Sequence, residues 1–100
     1  MNPALPKNWH YVYLLSNKVS KWIYIGCTND LWKRLLEHNK GKVFSTRKML
    51  PVKLIYFEAY KSKNNAFNRE KNLKKYGSGL AKLKSRIGIK RKEELGETKK

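Results

Sequence analysis

The sequence predicts an α+β domain: a small three-stranded antiparallel sheet flanked by helices, in the order β-β-α-β-α-α. Three observations carry that reading. Two short runs rich in aromatic and β-branched residues, His10–Leu15 and Trp22–Cys27, stand close enough together to form a hairpin. A third such run, Val52–Tyr60, comes only after a stretch with helical periodicity. Apolar residues at helical spacing then return twice, which places the helices around the sheet instead of in a separate layer. With 100 residues the chain has room for one domain and one modest core.

Met1 to Asn8, with Pro3 and Pro6, reads as a lead-in without regular structure, so residues 1–9 are expected to be a flexible arm. His-Tyr-Val-Tyr-Leu-Leu (10–15) is the first strand, and Ser16-Asn17-Lys18 the turn after it. Trp22 to Cys27 is the second strand. Thr28, Asn29 and Asp30 all have side-chain oxygens able to accept the free N–H groups of a first helical turn, so a helix is expected over 30–39. Leu31 and Leu35 repeat at its period, and Gly41 ends it. The basic stretch Lys42 to Met49 is expected to be irregular, with one short helical turn at most. Pro51 marks the start of the third strand, because a residue without an N–H cannot sit inside a ladder. From Asn64 to Tyr76 a helix places Ala66, Phe67, Leu73 and Tyr76 on one side, with Gly77 as its stop. Leu80, Leu83 and Ile87 give a last short helix over 80–87. The domain is thus expected to span 10–87, and the charged segment 88–100 to be a disordered tail.

Charge narrows the partners. The chain carries 24 basic and 7 acidic residues, a formal +17, and three of the acids (Glu93, Glu94, Glu97) fall near its end. A domain this basic repels itself, and a polyanion that releases counterions on binding relieves the repulsion. Nucleic acid, DNA foremost, is therefore the expected partner. No run approaches the roughly 20 apolar residues that span a bilayer, so no membrane role is expected. No segment has the makeup of an export signal, which points to the cytoplasm. One cysteine, Cys27, excludes an internal disulfide and a multi-cysteine zinc site.

Three groups of residues have chemistry to offer. Glu70 stands three and four residues from Phe67 and Ala66 and three from Leu73, so it shares their apolar stripe. A carboxylate there needs either a cation or a metal; an ion pair with a lysine is the plain alternative, and Mg²⁺, which often takes only one or two protein carboxylates, is the sharper one. Arg34 and His38, four apart, project from one helix face and together suit a phosphate, although a solvated face like that of Lys33 is the simpler account. Tyr13 and Tyr24 have the opposite parity to Val12, Leu14, Ile23 and Ile25, so both phenols share one face of the hairpin while the aliphatics fill the other. A tyrosine there is ordinarily core; with an ordinary pKa near 10 it accepts a proton only where positive charge favours the phenolate.

Taken in order, Tyr11-Val12-Tyr13, Tyr24-Ile25-Gly26, Arg34 with His38, and then Glu70 closely resemble the GIY-YIG nuclease domain, in its short single-domain branch. The resemblance covers residues 10 to 87. It implies a three-stranded antiparallel sheet with flanking helices and a divalent-metal-dependent endonuclease. By that resemblance one Mg²⁺ or Mn²⁺ ion is held by Glu70, Arg34 steadies the phosphate, Tyr13 or Tyr24 activates water, and His38 matches a histidine of some members. Gly26 matches the motif glycine that lets substrate or backbone come close. Thr46, Arg47 and Lys48 match a substrate-facing region and, with Lys33, are expected to meet backbone phosphates. The chain departs from the family pattern in reading Tyr-Val-Tyr for Gly-Ile-Tyr. It also has Cys27 and Thr28 where some members carry a lysine, and after Glu70 Asn72 is the nearest asparagine to one that supports the site elsewhere. The competing account is a basic DNA- or RNA-binding module on a scaffold that no longer cleaves; a lysine-rich assembly protein whose tyrosines are only core is a third.

Overall fold

The computed structural model describes residues 3–18, 22–75 and 77–88. Its elements follow the expected order: β1 (His10–Ser16), β2 (Tyr24–Thr28), α1 (Leu31–Asn39), a 3-10 helix (Phe44–Met49), β3 (Lys53–Tyr60), α2 (Lys63–Lys75) and α3 (Gly77–Arg86). The three strands make one antiparallel sheet in the order β2-β1-β3, with β1 at its centre.

Five consecutive residues of β1, Tyr11 to Leu15, are buried, because this strand is covered on both faces. Alternation divides them. Val12 and Leu14 join Ile25, Ala66, Leu73 and Leu83 in a core beneath α2 and α3. Tyr11, Tyr13 and Leu15 join Leu31 and Val52 in a second cluster on the α1 side. The parity expected of the tyrosines and aliphatics is therefore the parity observed, and the sheet separates an aliphatic layer from an aromatic one.

Asp30 caps α1 by accepting from the backbone N–H of Lys33 at 3.3 Å. At the other end Gly41, at φ +77°, lets its own N–H reach the His38 carbonyl and that of Lys42 reach Glu37, each at 3.0 Å. This pair of bonds satisfies carbonyls the helix would leave open and turns the chain sharply after His38. Asn39 then clamps the start of β3: its amide nitrogen donates to Val52 O at 3.1 Å and its oxygen accepts from Val52 N at 2.9 Å.

On the other face Glu58 of β3 accepts from Tyr56 and Tyr60, each at 2.6 Å, and from the Arg69 fork of α2 through two bonds of 2.9 Å. Burial alone pushes the Glu58 carboxyl up; the guanidinium and the two phenols outweigh it and hold the group below its ordinary value. This network fixes α2 against the sheet edge.

Several expectations need correction. The second strand begins at Tyr24, two residues later than read, with Trp22 outside the ladder. The stretch 44–49 is a 3-10 helix of six residues, longer than a single turn. Gly77 does not end helical structure but opens α3, which starts three residues before the expected Leu80. Phe67 is 47% exposed and leaves the apolar stripe of α2 to Ala66 and Leu73; Tyr76 lies outside the described residues, as does the tail from position 89. Residues 3–9 have no helix or strand, and several of them are tied to the body. Pro3 O accepts from Trp32 Nε1 and Pro6 O from the Tyr11 hydroxyl, both at 2.7 Å, and Leu5 and Trp9 pack on the aromatic cluster. No helix among the described residues is long and apolar enough to cross a membrane.

Candidate active site

The aromatic layer holds a line of hydrogen bonds. Tyr13 and His38, both essentially buried, meet through the phenol oxygen and Nε2 at 2.9 Å. The other ring nitrogen, Nδ1, lies 2.8 Å from Thr46 Oγ1, and Thr46 donates in turn to Val43 O at 3.4 Å. Elimination assigns the protons. A carbonyl only accepts, so the Thr46 hydroxyl donates to it and accepts from His38 Nδ1–H. Nε2 of the neutral ring is then free to accept the Tyr13 proton. Burial, and next the Arg34 charge, depress the pKa of His38 below its ordinary 6.5, which keeps the ring neutral at pH 7. This line exists because the 3-10 helix folds over the end of α1 where Gly41 turns the chain.

Around the Tyr13 phenol the remaining expected residues gather. Ring centroids of Tyr13 and Tyr24 lie 6.2 Å apart, and those of Tyr24 and His38 5.0 Å. Arg34 and the Glu70 carboxylate are both near enough to act electrostatically on the Tyr13 hydroxyl. Burial raises the pKa of Tyr13 far above its ordinary 10, and Tyr24 and Glu70 add to the rise, while Arg34 opposes it without cancelling it. The positive surroundings expected to favour a phenolate are thus outweighed, and Tyr13 rests as a neutral phenol.

Arg34 also opens onto a cleft of about 430 Å³ bounded by Lys33 and Glu37 of α1, Cys27 and Thr28 of β2, and Lys63 and Phe67 of α2. Its NH1 lies 3.1 Å from Glu37 Oε1. Glu37 went unnoticed in the sequence, although its i+3 spacing from Arg34 was the available signal. Lys33, Arg47 and Lys48 are exposed, as a phosphate contact requires.

Three expected roles do not match the geometry. Thr46 is fully buried and bonded to His38, so it supports the ring and cannot touch a phosphate. His38 is equally enclosed, and its place is behind Tyr13 instead of beside Arg34 on the substrate. Gly26 leaves no gap for substrate: the Tyr13 ring fills the space where its Cβ would stand.

Tyr24, Arg34, His38 and Glu70, drawn from β2, α1 and α2, thus gather about the Tyr13 phenol. A family model, the GIY-YIG catalytic domain, matches residues 9–84. The chain belongs to the GIY-YIG nuclease family. It is 45% identical over 74 residues to a UPF0213 protein of Streptococcus pyogenes serotype M3, covering 73% of this chain and 79% of the relative. A UPF0213 protein of Haloquadratum walsbyi is 36% identical over 70 residues, covering 69% and 78%. No solved structure matches the chain.

The donors of this GIY-YIG domain fit a hard divalent ion. Glu70 has a side chain 20% exposed, and its oxygen is met at 3.0 Å by Lys74 Nζ, on a side chain 53% exposed and so free to swing away. The plain expectation, an ion pair with a lysine, is thus the contact present, and a metal at Glu70 would have to displace Lys74. Burial, with Glu70 beside it, raises the pKa of the Cys27 thiol, which leaves oxygen as the donor atom on offer. Among the described residues no three His, Cys, Asp or Glu side chains form a cluster.

Proposed function

We propose that this chain is a divalent-metal-dependent endonuclease that hydrolyses phosphodiester bonds in DNA. The observation that supports the reading is a phenol, Tyr13, whose proton already has an acceptor in His38 and which lies within electrostatic reach of both Arg34 and Glu70.

Glu70 would hold the Mg²⁺ or Mn²⁺ ion, which would supply Lewis acidity to the phosphodiester when bound. Arg34 has five N–H donors and engages Glu37 with one terminal nitrogen, so it retains donors to hold a phosphate and its developing charge. Tyr13 rests protonated. With about 1% of its surface exposed, it reaches the attacking water only at its hydroxyl, and it takes that water's proton only as its own passes to His38 Nε2, so no free phenolate need accumulate. The water oxygen forms the new bond to phosphorus, the leaving oxygen departs with the electron pair of the broken bond and is protonated by solvent, and the proton given up by the attacking water is matched by one held on His38. Thr46 holds Nδ1–H throughout, so the ring presents the correct nitrogen. Tyr24 is partly buried, and its hydroxyl makes no hydrogen bond among the described residues; we assign it to orienting the water or the phosphate.

The test is cleavage of plasmid, branched and single-stranded DNA with Mg²⁺ or Mn²⁺ by wild type, Glu70→Ala and Arg34→Ala. Wild type is expected to cut, and each variant to fall by about 100-fold or more. Cleavage by Glu70→Ala at the wild-type rate, or none by wild type on any substrate, overturns the reading in favour of a binding module.

A further inference from the structure

Phe44, the first residue of the 3-10 helix, is 82% exposed, the largest exposure among the big apolar side chains described. It faces a groove of about 400 Å³ between the 3-10 helix and Trp22, lined also by Ser45, Arg47, Lys48 and Met49. Arg47, three residues on and therefore eclipsing Phe44 in a 3-10 helix, places its guanidinium carbon 5.2 Å from the ring centroid. The groove thus has aromatic walls and a cationic lip. Its walls adjoin the site: Trp22 and Tyr24 ring centroids are 6.4 Å apart, and Thr46 of the same 3-10 helix supports His38.

We propose that this groove takes an unpaired nucleobase of the strand being cut, stacked on Phe44 with Arg47 and Lys48 on its flanking phosphates. The proposal rests on the nuclease reading for its position and names the substrate class of the same site. Charge complementarity selects the occupant. A duplex keeps its bases inside and offers phosphates and sugar edges, so an apolar slot gains nothing from it; an unpaired base presents two bare π-faces and a phosphate on each side. An apolar peptide would fill the walls and leave the two cations of the lip unanswered.

The experiment is fluorescence anisotropy in EDTA, where binding is read without cleavage, using wild type and Phe44→Ala. The probes are a short oligothymidylate, an oligouridylate, a strand of abasic sites of equal length, and a duplex. Wild type is expected to bind a base-bearing strand on the order of 10-fold more tightly than the abasic one, and Phe44→Ala to lose that margin while binding the duplex unchanged. Whichever single strand shows the loss identifies the sugar it carries. An abasic strand bound as tightly as a base-bearing one, or Phe44→Ala bound to single strands as tightly as wild type, overturns the proposal. Because no metal is present, failure of cleavage leaves this result standing. Conversely, a wild type that cuts DNA but fails the anisotropy test removes the groove and not the nuclease.

Discussion

The Tyr13 ring lies across Gly26, its register partner on β2, in the volume a side chain there would occupy. Replacing a strand glycine by alanine is ordinarily neutral or helpful, since it lowers the entropy of the unfolded chain. Here the sign reverses. Gly26→Ala pushes the ring off His38 and is expected to cost about 1–3 kcal/mol of stability by overpacking. Urea unfolding measures that cost, and cleavage by the folded fraction is expected to be lost as well.

Thr46→Val keeps the shape of the buried side chain and removes the acceptor for His38 Nδ1–H. A buried donor without a partner costs about 1–3 kcal/mol. The nitrogen shifts of His38 are expected to move from one tautomer toward a mixture, with a loss of cleavage rate that Thr46→Ser restores.

The depressed pKa of His38 sets a direction for pH dependence. The folded value lies below the unfolded 6.5, so the neutral ring contributes stability that is present above pH 6.5 and lost as pH falls through the folded value. Protonation also removes the acceptor for the Tyr13 proton. The acid limb of cleavage is therefore expected below pH 6.5 and to coincide with the His38 titration followed by NMR.

Glu58→Gln leaves Arg69 without its bidentate partner and two phenols competing for one amide oxygen. A loss of about 1–3 kcal/mol is expected in urea unfolding at pH 7. Since the folded Glu58 pKa is depressed below 4.5, wild type is expected to lose this contribution as pH falls through the folded value, and the variant not. Tyr60, pushed up to about 12 by burial and by Glu58, acts at the other end: its contribution is complete below pH 10 and lost as pH rises through 12.

Glu37→Gln frees Arg34 from its neighbouring carboxylate. Exposed pairs of this kind contribute about 0–1 kcal/mol, so stability should barely move. DNA affinity is expected to rise, and its dependence on the logarithm of salt concentration to steepen by about 0.9.

Much of this was legible in the chain because strand and helix periods are local. Parity alone placed Tyr13 and Tyr24 on one face and Val12 and Leu14 on the other, and three helix-cap candidates in a row located the start of α1. Depth was not legible. His38 and Arg34 share a helix face, yet only His38 is roofed, because Thr46 folds onto it from eight residues away. Phe67 and Leu73 lie six residues and so roughly 120° apart around α2, and only Leu73 turns fully into the core. Glycine misled twice: at Gly77, where it opens a helix, and at Gly26, where the missing Cβ accommodates an aromatic neighbour. The Glu58–Arg69 fork joins residues eleven apart on different elements, with no local signature.

Glu70 holds nothing up. Its ion pair is to an exposed lysine on its own helix, while α2 is secured by Arg69 and by Ala66 and Leu73 in the core. On the proposed mechanism one substitution at that position would therefore disarm the molecule and leave its shape, melting and grip on a polyanion intact, turning a blade into a sheath in a single step.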